Sequence, residues 1–275
     1  MGLICVFRTM FELMTRLSSG SRSVAGKVVV VTGAGSGMGR STAHLFADEG
    51  ARVAVTDERE TIVQAVVDEI VDAHGSSSVL GFVLDVTDRD AISRTVSEIV
   101  SAWGGVDILV NNAGISIGLP IDHPEHGAAW SRTLAVNLTA HADMIKACLG
   151  YLKVSSEGGR IINIASTEGL GATSGISPYT AAKHGVVGLT RSLAVELAPQ
   201  NVTVNCVCPG PINTGMTMAI PDDMKRKFAR RRVPMRRYGE PEEVAHATLN
   251  FALPASSFMT GAILPVDGGM VCQNT

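Results

Sequence analysis

The sequence predicts an α/β fold, a single-domain, Rossmann-type doubly wound parallel sheet of about seven strands flanked by helices, over most of its 275 residues. Three observations predict it. β-Branched apolar runs alternate with segments of helical period. The first of those runs breaks off into a glycine cluster. The composition sets 45% hydrophobic residues and 29 glycines against only 4% aromatics, and short runs of Val, Ile, Leu and Ala are what strands buried on both faces need. A chain of this length can bury a substantial core in one unit.

Residues 1–25 read differently from the rest. Leu3, Phe7, Met10, Met14 and Leu17 recur at helical spacing, with Arg8, Glu12 and Arg16 between them and a Ser-rich linker behind. This is an N-terminal extension, amphipathic or disordered, for which membrane contact is the functional alternative. The domain proper is expected over 26–275.

From Lys27, KVVVVTGAGSGMG is strand, tight turn and the start of a helix that runs through Phe46. Gly33, Gly37 and Gly39 permit positive φ and close backbone approach, and amides at a helix start suit an anion such as phosphate. An ordinary strand-to-helix turn is the plain alternative. ARVAVTDE is a second strand ending at Asp57, eighteen residues beyond Gly39, close to where a dinucleotide fold places its ribose-binding acid. A carboxylate there repels a 2′-phosphate, and neither Ser36 nor Met38 brings a compensating cation, so NAD(H) is favoured over NADP(H).

The alternation continues with a helix over 60–74, a strand over 79–85 ending in Asp85, a helix over 88–102 and a strand over 106–111. The capping-type sequence Thr87-Asp88-Arg89-Asp90 opens the second of those helices. Consecutive βα units with right-handed crossovers bring the carboxyl ends of the strands to one edge. NNAG at 111–114 lies there. A helix over 128–153 carries Asn137 in its interior, where Asn is a mediocre helix former, and a strand over 159–165 delivers Ser166 to the same edge.

Ser177 is expected to cap, and Pro178 to open, a helix bearing Tyr179 and Lys183 at i and i+4, on one face a turn apart. A phenol titrates near about 10, and a neighbouring ammonium lowers that value by stabilising the phenolate. A strand over 201–208, the loop PGPINT at 209–214, a helix over 241–253 and a strand over 261–266 complete the order.

Charge and cysteine usage bound the partners. A net charge of −3 gives no general attraction to nucleic acid. The five cysteines are odd in number, scattered and without zinc-finger spacing, so they read as reduced thiols in a cytoplasmic protein. Cys206 and Cys208 share a strand face as small apolar residues. Asp122-His123-Pro124-Glu125-His126 falls in a loop without a helical frame for ligands, so no metal is expected.

Together, TGAGSGMG at 32–39, Asp57, Asp85-Val86, NNAG, Asn137, Ser166, Tyr179 with Lys183, and PGPINT resemble the classical short-chain dehydrogenase/reductase family over residues 26–271. The thirteen residues from Ser166 to Tyr179 match the family's usual separation. The resemblance implies that Tyr179 exchanges a proton with an alcohol or carbonyl while hydride moves to or from a nicotinamide. Lys183 would lower the phenol's pKa and bind the nicotinamide ribose, Ser166 would donate to the substrate oxygen, and Asn137 would hold a water linking Lys183 to solvent. Gly33, Ser36, Gly37, Met38 and Gly39 would form the glycine turn of the cofactor site. Asp57 would take the ribose, Asp85 and Val86 the adenine, and Asn112, Ala113 and Gly114 the adenosine side. Pro209, Gly210, Ile212 and Thr214 would complete the set. A homotetramer is implied likewise.

The expected reaction is NAD-dependent interconversion of a secondary alcohol and a ketone. The alternatives are reduction of 3-oxoacyl thioesters, which would ordinarily favour NADPH, and a non-catalytic dinucleotide-sensing or scaffold protein. Residues 115–130 and a lid at about 213–238 should shape the substrate pocket. The lid carries Lys225, Arg226, Lys227, Arg230, Arg231, Arg232, Arg236 and Arg237. They read either as a grip on an anionic tail, a carboxylate or a phosphopantetheine thioester, or as a solvated helix face or subunit contact.

Overall fold

A computed structural model describes residues 20–273. Most of the amphipathic pattern read in 1–25 therefore lies outside the described residues. Strands β1 (Val28–Thr32), β2 (Arg52–Asp57), β3 (Val79–Val83), β4 (Ile108–Asn111), β5 (Gly159–Ile164), β6 (Val202–Pro209) and β7 (Ile263–Val266) form one sheet in the order β3-β2-β1-β4-β5-β6-β7. Every pairing is parallel.

Alternation along the strands builds two cores. Val29, Val31, Val53 and Val55 face helices α1 (Gly37–Asp48), α2 (Glu60–His74) and α8 (Pro241–Ala252), packing with Phe46, Ile70 and Val244. Val28, Val30, Leu109, Ile161 and Val204 face α3 (Arg89–Trp103), α5 (Ala140–Leu152) and α6 (Ser177–Leu197), with Ile99, Met144 and Leu197. Burying each such side chain contributes about 1.5–3 kcal/mol, so a one-residue slip, which would turn every inward residue outward, is strongly disfavoured. Strand order reverses between β1 and β4, and such a switch point opens a crevice at the carboxyl ends of the strands.

Most predicted boundaries lie within two residues of those observed. β3 stops short of Asp85 because its only partner, β2, ends at Asp57, opposite Val83. Two expectations need correction. The helix read over 128–153 is two helices, α4 (His126–Leu134) and α5, joined by one π-helical turn at Ala135–Thr139. Ser177 is the first residue of α6 instead of its cap, which is Ile176, and the Ser177 hydroxyl pairs with His126 Nε2 at 3.0 Å. The lid, for which a helix face is one of the readings, contains α7 (Asp222–Arg232), with Asp222 and Asp223 in its first turn and Arg230, Arg231 and Arg232 in its last. That charge order complements the helix dipole.

Candidate active site

The crevice is stitched together by the turns after β1 and β4. Thr32 Oγ1 accepts from the amides of Asn112 and Ala113 at 3.0 and 3.1 Å, and Asn112 Nδ2 donates to the carbonyls of Thr32 and Gly33 at 2.9 and 3.0 Å. Gly33 has φ of +62°, and a Cβ there would stand 2.8 Å from Ala113 Cα. A Cβ on Gly39 would collide with the Gly33 carbonyl and the Asn112 amide. Glycine is therefore a steric requirement of this turn.

The other predicted cofactor residues border the same trough. Asp57 Oδ2 accepts from the Gly35 amide at 3.2 Å. Asp85 Oδ1 accepts from the Thr87 amide and hydroxyl at 2.9 and 2.7 Å, and Val86 is buried beside it. Burial raises the Asp85 carboxyl, but the Thr87 hydrogen bonds and the Arg132 guanidinium outweigh it and hold the pKa below the usual value. Ser36 occupies the N-cap position of α1 without a side-chain cap bond, and Met38 packs against the adjoining core. Thr214 side-chain carbons lie 3.3 Å from where Gly37 would carry a Cβ, so the loop after β6 closes over the glycine turn. Pro209 ends β6, Gly210 packs on Asp267, and buried Ile212 pairs with Gly239.

Ser166, Tyr179, Lys183 and Asn137 come together from β5, α6 and the π turn. Lys183 Nζ donates to the Ile164 carbonyl at 2.8 Å and lies 5.6 Å from the centroid of the Tyr179 ring. Burial pushes its pKa down to about 8, against the raising effect of Cys206 and Cys208. Gly114 borders this group: a Cβ there would stand in ordinary contact, 3.5 Å from Asn137 Oδ1 and 3.7 Å from Lys183 Nζ. The Asn137 amide is doubly held, accepting from Ile115 N and donating to Ile115 O, both at 2.8 Å. Reaching that backbone gives the π turn a function that the helix-period pattern concealed.

Tyr179 differs from the expectation of a lowered phenol. In the protein alone burial raises its pKa, a hydrogen bond with Ser166 opposes the rise, and the Glu168 carboxylate adds to it. The lysine's ammonium is occupied at the Ile164 carbonyl.

Two neighbours were missed from the sequence. Glu168, two residues past Ser166, accepts from Thr173 N at 2.9 Å, Thr173 Oγ1 at 2.6 Å and Thr180 Oγ1 at 2.7 Å. His141, one helical turn past Asn137, is buried, and neither ring nitrogen has a hydrogen-bond partner among the described residues. Burial and the Lys183 charge lower its pKa to about 3, against weaker opposing pulls from Asn163 and the Ala113 backbone. Only their spacing could have singled them out. Cys206 and Cys208 are buried with Sγ atoms 3.9 Å apart, packed with Ala165, Val186 and Val187. In the 122–126 loop, His126 turns to Ser177 and His123 Nδ1 accepts from the Glu125 amide at 3.1 Å.

A family model described as enoyl-(acyl carrier protein) reductase matches residues 33–271. The chain is 39% identical over 247 residues to the 3-oxoacyl-(acyl-carrier-protein) reductase FabG of Thermotoga maritima, covering 90% of this chain and 98% of that one. It is 41% identical over 246 residues to BbsD, a subunit of a hydroxy(phenyl)methylsuccinyl-CoA dehydrogenase of Thauera aromatica, covering 90% and 97%. A solved structure from Beutenbergia cavernae, described as a proposed NAD(P)-dependent gluconate 5-dehydrogenase with NADP at low occupancy, superposes with TM-score 0.84 at 36% identity, covering 92% of this chain and 100% of that one. With its seven-stranded parallel sheet and these relatives, the chain belongs to the classical short-chain dehydrogenase/reductase family and is an oxidoreductase of that family.

Proposed function

We propose that the protein interconverts a secondary alcohol and a ketone with NAD(H) as its dinucleotide. The observation that carries this reading is the convergence of Tyr179, Lys183, Ser166 and Asn137 beside the glycine turn. Gly33 and Gly37, half-buried, present backbone to a pyrophosphate while buried Gly39 lets the helix start pack against the turn, and Asp57 stands at the end of β2 for a ribose diol. The missing Cβ atoms let the turn pack on Asn112, Ala113 and Thr214, which shapes the trough. A bound nicotinamide would supply the hydride. Tyr179, kept protonated by burial, gives its proton to a ketone oxygen in reduction and takes one back in oxidation. Ser166 steadies the negative charge developing on that oxygen. Lys183 orders the ribose side and favours the phenolate when oxidation runs. Asn137 keeps the Ile115 turn beside it in place, and a water there linking Lys183 to solvent belongs to the proposal.

The NAD preference rests on Asp57 and on the absence of a cation at Ser36 and Met38, in contrast to the NADP carried by the Beutenbergia cavernae structure. Exposed Phe258, Met259, Val195 and Leu264 around the β7 edge support self-association into a tetramer. No helix among the described residues is long and apolar enough to cross a membrane, and the unpaired thiols fit a reducing cytoplasm. A second reading, with a 3-oxoacyl thioester as the ketone, draws on the names of the two relatives and on the basic lid.

The test is a panel of cyclic alcohols, ketones and 3-oxoacyl thioesters, followed by NADH absorbance. At least one pair should turn over, with kcat/KM for NADH at least about tenfold above NADPH and a loss of about a hundredfold or more in Tyr179→Phe. Full turnover in Tyr179→Phe would overturn the role of Tyr179, and dinucleotide binding without turnover of any substrate would favour the dinucleotide sensor.

A further inference from the structure

Helix α7 carries six cations in eleven residues, Lys225, Arg226, Lys227, Arg230, Arg231 and Arg232, against Asp222 and Asp223. None of the six forms an ion pair among the described residues, whereas Arg237, at the end of the lid, is clamped by Glu243 at 2.6 and 2.7 Å. An unpaired cluster of like charge on one short helix is repulsive, and the two first-turn carboxylates, Asp222 and Asp223, with the helix dipole offset it only in part. Helical spacing sorts the residues. Ala229 is buried, Phe228 meets Tyr238 edge-on at 6.1 Å, and Lys225 Nζ lies 5.7 Å from the Tyr238 centroid. That edge of the helix faces the protein body. Arg226, Lys227, Arg230 and Arg231 lie on the outer side and, with Asp223, line an open recess of about 380 Å³.

We propose that this recess binds the phosphates of a coenzyme A type thioester, its adenosine 3′-phosphate 5′-diphosphate, while the pantetheine arm crosses Met224 and Phe228 toward Tyr179. The inference rests on the thioester reading above. Four cations on two successive turns, about 6 Å apart along the axis, match a diphosphate with a neighbouring monophosphate, and three of them are arginines able to bind phosphate oxygens bidentately. Asp223 closes the amino-terminal end of the recess, which directs the anion to Arg230 and Arg231. Met224 and Phe228, 57% and 39% exposed, give the arm an apolar path. The lid's root at Thr214 already touches the glycine turn, which ties α7 to the dinucleotide side of the crevice. A membrane surface fits less well, because an amphipathic helix at a bilayer points its apolar side away from the protein, and the outer side of α7 is formed by Arg226, Lys227, Arg230 and Arg231.

The test compares one 3-oxoacyl group carried on coenzyme A, on N-acetylcysteamine and on acyl carrier protein, in the full chain and in an Arg230→Glu/Arg231→Glu variant. KM for the coenzyme A thioester should be at least about tenfold below that for N-acetylcysteamine, about 1.4 kcal/mol. It should rise with salt, and the variant should lose the advantage while its N-acetylcysteamine kinetics stay within about twofold. Arg230→Lys/Arg231→Lys should keep most of it. Calorimetry with adenosine 3′,5′-bisphosphate, which needs no turnover, should show binding that the Glu variant loses. Equal KM values for the two small thioesters, or bisphosphate binding absent or indifferent to the variant, would overturn the proposal. So would an effect confined to the carrier-protein substrate, or loss of binding to anionic vesicles without any change in KM. If no thioester reacts but simple alcohols do, the thioester reading fails by itself and the calorimetry still decides whether the recess binds phosphates.

Discussion

At Tyr179 three effects compete over one proton: burial raises the phenol's pKa, Ser166 lowers it, and the Glu168 carboxylate raises it again. Removing the charge while keeping the shape isolates the last. Glu168→Gln should therefore lower the phenol's pKa and shift the acid limb of kcat/KM for alcohol oxidation to lower pH, with Thr173 and Thr180 still offered an amide oxygen. An unmoved limb would mean that the carboxylate acts only through the loop it braces. Tyr179, Lys183 and Ser166 were legible because their spacing is fixed by one helix and one strand. Glu168 was not legible, because its effect depends on a distance across a turn that no periodicity encodes.

Among the elements, local rules worked where one segment supplied its own partners. Asp88 Oδ1 accepts from Asp90 N at 2.9 Å and Ala91 N at 3.0 Å, capping α3; the run Thr87-Asp88-Arg89-Asp90 marked the helix start to within one residue, although its Thr87 bonds Asp85 instead of capping. Asp88→Ala should cost about 1 kcal/mol and lower Tm by roughly 2–4 °C, measured by thermal unfolding, without moving KM. The rules failed where a distant segment supplied the partner. Ser177 has the chemistry of a cap, yet His126, fifty-one residues away, takes its hydroxyl. Asn137 looked like a weak helix residue, and the helix breaks into a π turn there because Ile115 holds both ends of its amide.

For the molecule as a whole, the buried polar cluster behind Lys183 makes stability depend on pH. His141 takes up a proton near pH 6.5 once unfolded but resists it in the fold until about pH 3. The unfolded state then binds the extra proton, so stability is complete above pH 6.5 and falls at about 1.4 kcal/mol per pH unit as the pH drops below it. Between about pH 6.5 and 5 most carboxylates have yet to titrate, so this limb belongs to the histidine. His141→Leu should flatten it in urea unfolding run at several pH values, and an unchanged slope would show that the imidazole is already solvated in the fold.

Strand and helix positions along the chain and the cofactor-side motifs follow from short-range properties: β-branched runs, 3.6-residue periodicity, and glycines where backbone must approach backbone. Each acts within a window of a few residues and so leaves its trace in the chain itself. The protonation of Tyr179, the burial of His141 among unsatisfied groups, and the separation of α7 into an inner apolar edge and an outer cationic face arise between segments far apart in sequence. Desolvation and through-space charge decide them, and both depend on which side chains the folded sheet and its helices bring together.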